Sequence, residues 1–365
     1  MITKSQINQT GCFLTKQSSA VSAHEADLIL KYFRLIHQHP MSLFRHLIDR
    51  KLKKYKIDAL VSQRLKRKPS IIKKLKIQKK MQLARMQDIG GLRIVVNSIS
   101  EVNLIRDEIK KVESHRNFKF TYVNEKNYIK NPQESGYRSI HMVYKYEKNI
   151  PLEKQCRVEI QIRTKLQHSW ATAVEVMGTF LNQSLKQSRG DSKYLDIFKK
   201  ISKLFIILEN KEVDYAFIKE VRQDIENIQL LEKLRSFSVV NQHLNSHAQG
   251  KYLLLKMNFR QRKIEIVYYS KAKFEQANND YLKMESDNSN NQTIEIVLVS
   301  IQDVQKLSQY YPNYFMDTTE FIKNLELFFK IFDIQENISH PKDAIIKEES
   351  ERTSKEILIK MIEKG

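Results

Sequence analysis

The sequence predicts a mixed α/β (α+β) protein, and two observations carry that reading. Segments in which apolar and polar residues alternate are interleaved with segments in which apolar residues recur every three to four positions. In residues 156–170, "CRVEIQIRTKLQHSW", one period hands over to the other: Val158, Ile160 and Ile162 alternate with Glu159, Gln161 and Arg163, and the chain turns helical after Thr164. Such a strand buries one face in a core and leaves an acid, an amide and a guanidinium in a row on the other.

Residues 22–60 read as helices, with Leu28, Ile29, Tyr32, Phe33 and Ile36 at helical spacing and a second stretch after Pro40. "RLKRKPSIIKKLKIQ" reads as a basic loop leading into a helix that starts near Pro69 and Ser70. "DIGGLRIVV", 88–96, reads as a strand with a glycine pair at its mouth, and Val102, Ile105, Ile109 and Val112 repeat at helical spacing. "FKFTYVN", "GYRSIHMVYKY" (136–146) and "CRVEIQI" read as further strands. Beyond Thr164, Leu166, Trp170, Val174, Met177 and Leu181 make one helical stripe, and Lys165, His168, Thr172 and Glu175 make another. Helices continue to about residue 240, and composition shifts at "NSHAQG", 245–250. A hairpin, a helix, the polar loop "ESDNSNNQ" and the strand "TIEIVLVSI" follow. The expected organisation is a helical segment 1–44, an α/β core domain 45–185, a helical segment 186–245, a small α/β domain 250–335 and a charged helical or flexible tail 336–365.

No run reaches the roughly 18 apolar residues of a membrane span, and "MITKSQINQTGCFLTK" lacks the apolar stretch of a signal peptide. Cys12 and Cys156 offer neither a disulfide framework nor a metal quartet, so a cytoplasmic protein with reduced thiols is expected. The net charge of +21 is unevenly spread: residues 45–85 hold 16 Lys or Arg against Asp49 and Asp58. A field that one-sided attracts polyanions, nucleotides or RNA alike.

By the period of two, Tyr137, Ser139 and His141 share one strand face, as do Glu159, Gln161 and Arg163. Asp88 sits at the mouth of the "DIGG" strand, where Gly90 and Gly91 permit close approach to the backbone. Asp88 and Glu159 can hold a magnesium ion, which wants hard oxygen ligands, or can pair with Arg93 and Arg163; the residues alone leave both open. None of the eight glycines stands in a GxxxxGK or GxGxxG spacing, so a bound triphosphate would be held by side chains and metal. Arg64 and Lys66 lie two apart and Ser70 and Lys74 one helical turn apart.

"RLKRKPSIIKK", "DIGGLR", "NYIKNPQESGYRSIH" and "VEIQIRTKLQHSWA" occur in that order, and together they resemble the synthetase domain of the RelA/SpoT alarmone synthetases over roughly residues 45–180. The resemblance implies a nucleotidyltransferase-like mixed sheet flanked by helices. It also implies a reaction that moves the β,γ-pyrophosphate of ATP onto the ribose 3′-hydroxyl of GDP or GTP, making (p)ppGpp and AMP with Mg²⁺ as cofactor. Carried over by position, Asp88 would ligate magnesium, and Glu159 would share the metal and help deprotonate the acceptor hydroxyl. Arg64 would lie on the adenine, with Lys66, Ser70 and Lys74 near the phosphates. Tyr137 would stack on the acceptor base with His141 close by, and Gln161 and Arg163 would complete the polar wall. Asn127 and Gln133 depart from the pattern: many members carry aspartate and lysine there, and the lysine is expected to touch the acceptor's phosphate. No "HD" dipeptide occurs, which argues against alarmone hydrolysis.

Two alternatives follow. Small relatives that act as toxins pyrophosphorylate the 3′-CCA end of tRNA, and both Gln133 and the basic 45–85 segment suit such an acceptor. A non-catalytic module that binds transfer or ribosomal RNA is the other, and a homo-oligomer is open. Other residues carry less. His37 and His39, and His243 and His247, lack acidic or cysteine partners; His168 either lines the cleft or caps the helix start. Trp170 reads as core, Cys156 as a strand residue without chemistry, and "YYPNYF", 310–315, as a core corner with an exposed recognition surface as the alternative.

Overall fold

A computed structural model describes residues 2–17, 20–111, 119–147, 156–180, 185, 188, 190–210, 212, 214–231, 234, 252–258, 263–288, 291, 294–300 and 318–338. The composition shift at 245–250, His243, His247, the "YYPNYF" cluster and residues 339–365 of the tail lie outside the described residues.

Five strands form the principal sheet: β1 (Leu60–Leu65), β2 (Gly90–Val96), β3 (Phe120–Asn127), β4 (Ile140–Tyr146) and β5 (Arg157–Thr164). Their order is β1-β2-β5-β4-β3, with β2 and β5 parallel and every other pair antiparallel. One face is apolar. Leu92, Ile94, Val96, Val158, Ile160, Ile162, Ile140, Met142 and Tyr144 are buried with Phe44 and Ile48 of α3 (Gln38–Tyr55) and Val102, Ile105 and Ile109 of α5 (Ile99–Lys111). The alternation legible in "RVEIQIR" is therefore real: its apolar half builds this core, and its polar half lies on the opposite face.

Three readings change here. The basic stretch does not begin as a loop, because Arg64 and Leu65 end edge strand β1 and only Lys66 and Arg67 separate it from α4 (Lys68–Ile77). In addition, β4 starts at Ile140, so Tyr137 and Ser139 precede the strand and are not set by its period. The boundary drawn at 45 also falls inside α3.

α4 is fixed by a second core. Ile71 and Leu75 pack with Leu83, Met86 and Ile89 and with Ile7, Ile29, Leu30 and Phe33, which α1 (Lys4–Leu14) and α2 (Ala23–Leu35) supply. α6 (Lys165–Phe180) packs with α7 (Ser192–Glu209) and α8 (Tyr215–Asn227), where Trp170 is core as expected and donates Nε1–H to the Phe198 carbonyl at 2.8 Å.

Strands β6 (Tyr252–Asn258), β7 (Lys263–Tyr269) and β8 (Ile294–Ser300) make an antiparallel sheet ordered β7-β6-β8, with α9 (Phe274–Asp287) against it through Leu254, Tyr269, Ala277 and Ile296. The last described helix, α10 (Thr319–Ile338), begins inside the range 250–335 but packs away from this small sheet. Phe321, Leu325 and Phe328 join the α6–α8 cluster, and Phe328 stacks on Phe205 at 6.2 Å. Its apolar stripe matches a helical layer, a partner choice that periodicity cannot specify.

Candidate active site

The polar face of the principal sheet carries Arg64, Glu159, Gln161 and His141. Paired residues project to the same side of a sheet, so the registers set Arg64, Gly91 and Glu159 in one row and Ser62, Arg93, Gln161 and His141 in the next. Gly91 separates Arg64 from Glu159; a Cβ there would meet only the carbonyl oxygens of Glu159 and Arg64, at 3.7 and 3.9 Å. Glycine thus leaves the floor between them clear. Gly90 answers a different need, since a Cβ would meet Met41 Sδ of α3 at 2.7 Å.

Glu159 is held from both sides. His141 Nδ1 donates to Oε1 at 3.1 Å and Gln161 Nε2 donates to Oε2 at 2.8 Å. His141 Nε2 lies 2.9 Å from the Tyr137 hydroxyl. Burial opposes charge on the imidazole, but the Tyr137 hydroxyl and the Glu159 carboxylate push it up to about 9. Burial also pushes Glu159 up, as does the negative charge of Asp88; the His141 hydrogen bond and charge outweigh them and hold the carboxyl below its ordinary value. The pair is therefore imidazolium and carboxylate at neutral pH.

Asp88 lies two residues ahead of β2 and takes two ammonium donors, Lys66 Nζ on Oδ2 at 2.8 Å and Lys74 Nζ on Oδ1 at 2.9 Å. Burial pushes this carboxyl up too, and the two lysines bring it below the usual range. Lys66 is itself lowered, chiefly by burial, with Lys74 and Arg64 adding repulsion and Asp88 partly restoring it. Ser70 sits in the first turn of α4, one turn before Lys74. The ion pairing open from the sequence is thus settled in an unexpected way: Asp88 pairs with lysines and Glu159 with a histidine, and neither salt bridge involves Arg93 or Arg163.

The acceptor side differs from expectation. Tyr137 is 4% exposed, its ring edge-on to Tyr128 and His141, so little ring face is open to a base. Arg163 is 0% exposed, and burial together with nearby Arg93 pushes its guanidinium down to about 9. It meets His168 Nδ1 beneath α6 and interacts with Tyr137, rather than lining an open wall. His168, 8% exposed, serves that contact. Gln133 stays in the loop before Tyr137, where its backbone accepts from Gly136 N–H at 2.8 Å and donates to the Tyr137 carbonyl at 3.1 Å. Asn127 accepts from the amides of Ile129 and Lys130 at 3.1 and 2.9 Å, a turn role that asparagine fills well.

Sequence reasoning missed the support behind this loop. Glu209, at the end of α7, accepts from Arg138, from Thr164 Oγ1 at 2.5 Å and from Gln167 Nε2 at 3.1 Å. Gly136, at φ 90°, packs so tightly that a Cβ would meet Ser202 Cβ at 2.9 Å. Only the glycine had a local signal. His37, by contrast, is buried with its Nδ1 2.7 Å from the Phe33 carbonyl, burial pushes it down to about 4, and among the described residues it joins no metal-holding group.

The oxygen donors of Asp88 and Glu159 fit a hard divalent cation such as magnesium, which binds through one or two carboxylates plus substrate phosphates. The chemistry of two hard carboxylates carries that fit, and the charge of Asp88 acts on Glu159 of neighbouring β5. Among the described residues, no third His, Cys, Asp or Glu joins them in a metal-holding group, and no helix is long and apolar enough to cross a membrane.

A mixed sheet with this polar row and a lysine-bearing helix between its first two strands fits a RelA/SpoT-type synthetase domain. Residues 63–178 match the region found in RelA / SpoT proteins, and the chain belongs to that family. Over 147 residues it is 30% identical to GTP pyrophosphokinase YwaC of Bacillus subtilis, covering 36% of this chain and 68% of that protein. It is 37% identical over 92 residues to GTP pyrophosphokinase YjbM of the same organism, covering 25% of this chain and 41% of that protein. Among solved structures, it is similar to small alarmone synthetase 1 from Bacillus subtilis bound to its product pppGpp, with TM-score 0.42, 24% identity, and 53% and 96% of the two chains covered.

Proposed function

We propose that this protein is a magnesium-dependent pyrophosphokinase that transfers the β,γ-pyrophosphate of ATP to the ribose 3′-hydroxyl of GDP or GTP, releasing AMP. One observation carries the reading: Asp88, two residues ahead of β2, lies near enough to Glu159 of neighbouring β5 for its charge to act on that carboxyl, and each acid is met by cationic side chains, Lys66 and Lys74 at Asp88 and His141 at Glu159. The family relatives, named as GTP pyrophosphokinases, support it.

On the donor side, Lys66 and Lys74 offset phosphate charge, Ser70 lies at the start of the same helix, and Arg64 stands over the open floor at Gly91. Magnesium held by Asp88 and Glu159 would neutralise the polyphosphate and lower the acceptor hydroxyl's pKa. Glu159 accepts the 3′-hydroxyl proton. The freed oxygen attacks the β-phosphorus of ATP, the bond from that phosphorus to the oxygen of the α-phosphate breaks, and AMP leaves with the electron pair. His141, donating to Glu159, keeps the carboxylate ionised and oriented before the acceptor arrives.

The test incubates the full chain with Mg²⁺ and ATP labelled at the γ-phosphate, in separate reactions with GDP, GTP or tRNA. Label moving to GDP or GTP supports the reading. Label on tRNA alone would replace the acceptor, and label on none of the three would overturn the enzymatic reading.

A further inference from the structure

α4 carries Ser70 and Lys74 but is a poorly finished helix. Its N-cap residue, Arg67, makes no side-chain capping bond, and its first turn holds no acid. Pro69 removes one of the four amides that a helix start usually leaves without acceptors, and the positive end of the helix still favours an anion. The anion comes from another part of the chain. Glu285, near the end of α9 in the small C-terminal unit, places Oε1 3.4 Å from the Lys68 amide. Its other oxygen, Oε2, accepts from Arg34 Nη1 of α2 at 2.7 Å. Arg34 Nη2 donates to the Tyr281 hydroxyl at 2.5 Å, and the guanidinium lies 5.7 Å from the centre of that ring.

This contact is built rather than incidental. Arg34 is 3% exposed and Glu285 9% exposed, so each needs the other to be buried as a charge. The 3.4 Å separation is long for a hydrogen bond, so the carboxylate acts on α4 mainly through its charge at the helix end. The Lys68 ammonium is meanwhile held by Asp27 of α2 at 3.0 Å. The first turn of α4 is thus gripped by α2 and α9 together, while Lys74, farther along the helix, reaches Asp88.

We propose that Glu285 is a positioning residue for the donor-side helix: the C-terminal unit supplies the anionic cap that α4 lacks and so sets affinity for the donor nucleotide from outside the synthetase sheet. The proposal rests on the reading of α4 as the ATP-binding helix. It gives the small three-stranded unit a role in the reaction, although that unit lies outside the matched region 63–178.

The test uses the full chain and its E285A, E285Q and R34L/E285L variants. E285A is expected to raise the KM for ATP about five- to tenfold, the effect of losing a strong cap, with kcat and the acceptor KM within about twofold. Amide exchange in peptides covering 67–77 should quicken in E285A and, less so, in E285Q. R34L/E285L removes the buried charges together and should regain thermal stability without regaining the ATP KM, which separates capping from mere attachment. A lowered Tm with unchanged ATP KM, or unchanged exchange over 67–77, would overturn the proposal. Should the wild-type chain transfer pyrophosphate to no acceptor, the pyrophosphokinase reading falls by itself. The exchange measurement and the affinity for a fluorescent ATP analogue then decide the role of Glu285.

Discussion

Asp88 and Glu159 carry the same charge at neighbouring strands and are held in opposite ways. Asp88 stands at a strand mouth between two lysine ammoniums, on flexible stems, that come from a loop and from a separately packed helix. Glu159 stands within a central strand, bonded to one side chain on its own strand and one on the next. Ammoniums can turn from a carboxylate to an arriving phosphate at low cost, because lysine is a mobile point charge. The Glu159–His141–Tyr137 chain has no such freedom, since a sheet register and a buried ring fix it. On the proposed function, the donor side would be adaptable electrostatics and the acceptor side preorganised proton handling.

Variants can break that comparison, and the largest effect is expected at the carboxylates. D88N and E159Q should each lower pyrophosphate transfer about a thousandfold or more, as removal of a metal ligand or general base does, measured by initial rates at saturating substrate. A residual rate above about a tenth of wild type in E159Q would remove Glu159 from the proton step. Next, K74A should raise the ATP KM about tenfold, as loss of one phosphate contact does, and leave the acceptor KM unchanged, because Lys74 belongs to α4 alone.

The pH dependence sharpens the acceptor side. His141 is raised from its ordinary 6.5 to about 9, so its share of stability is complete below pH 6.5 and is lost as pH climbs through about 9. Glu159 is lowered from 4.5, so its share is present above that value and is lost as pH falls through the lower one. Thermal unfolding of the wild type should therefore lose Tm between pH 7.5 and 9.5, and H141N should lose distinctly less over that interval. Equal slopes would mean that the pair does not form. The smallest effect is expected from G91A: its added Cβ meets ordinary contacts, so Tm should stay within a few degrees while crowding between Arg64 and Glu159 costs activity a few-fold.

Much of this was legible in the sequence because it rests on local periodicity. The polar row Glu159 and Gln161, the helix with Ser70 and Lys74, and the core role of Trp170 all follow from spacing. β1 was not, because "LVSQRL" runs into a lysine-rich stretch whose polarity reads as loop, and its strand character comes from pairing with β2. Arg163 shares a face with Glu159, but periodicity cannot say which end of that face α6 covers. Glu209 and Glu285 act through partners 71 and 217 residues away, a reach that no local pattern encodes.

The central claim is that Asp88 and Glu159 act as one divalent-cation site. Electron paramagnetic resonance of Mn²⁺, titrated into the full chain with a non-hydrolysable ATP analogue, tests it most directly. The account predicts a bound-manganese population in the wild type that D88N and E159Q each abolish. Manganese binding that survives both substitutions unchanged would contradict it.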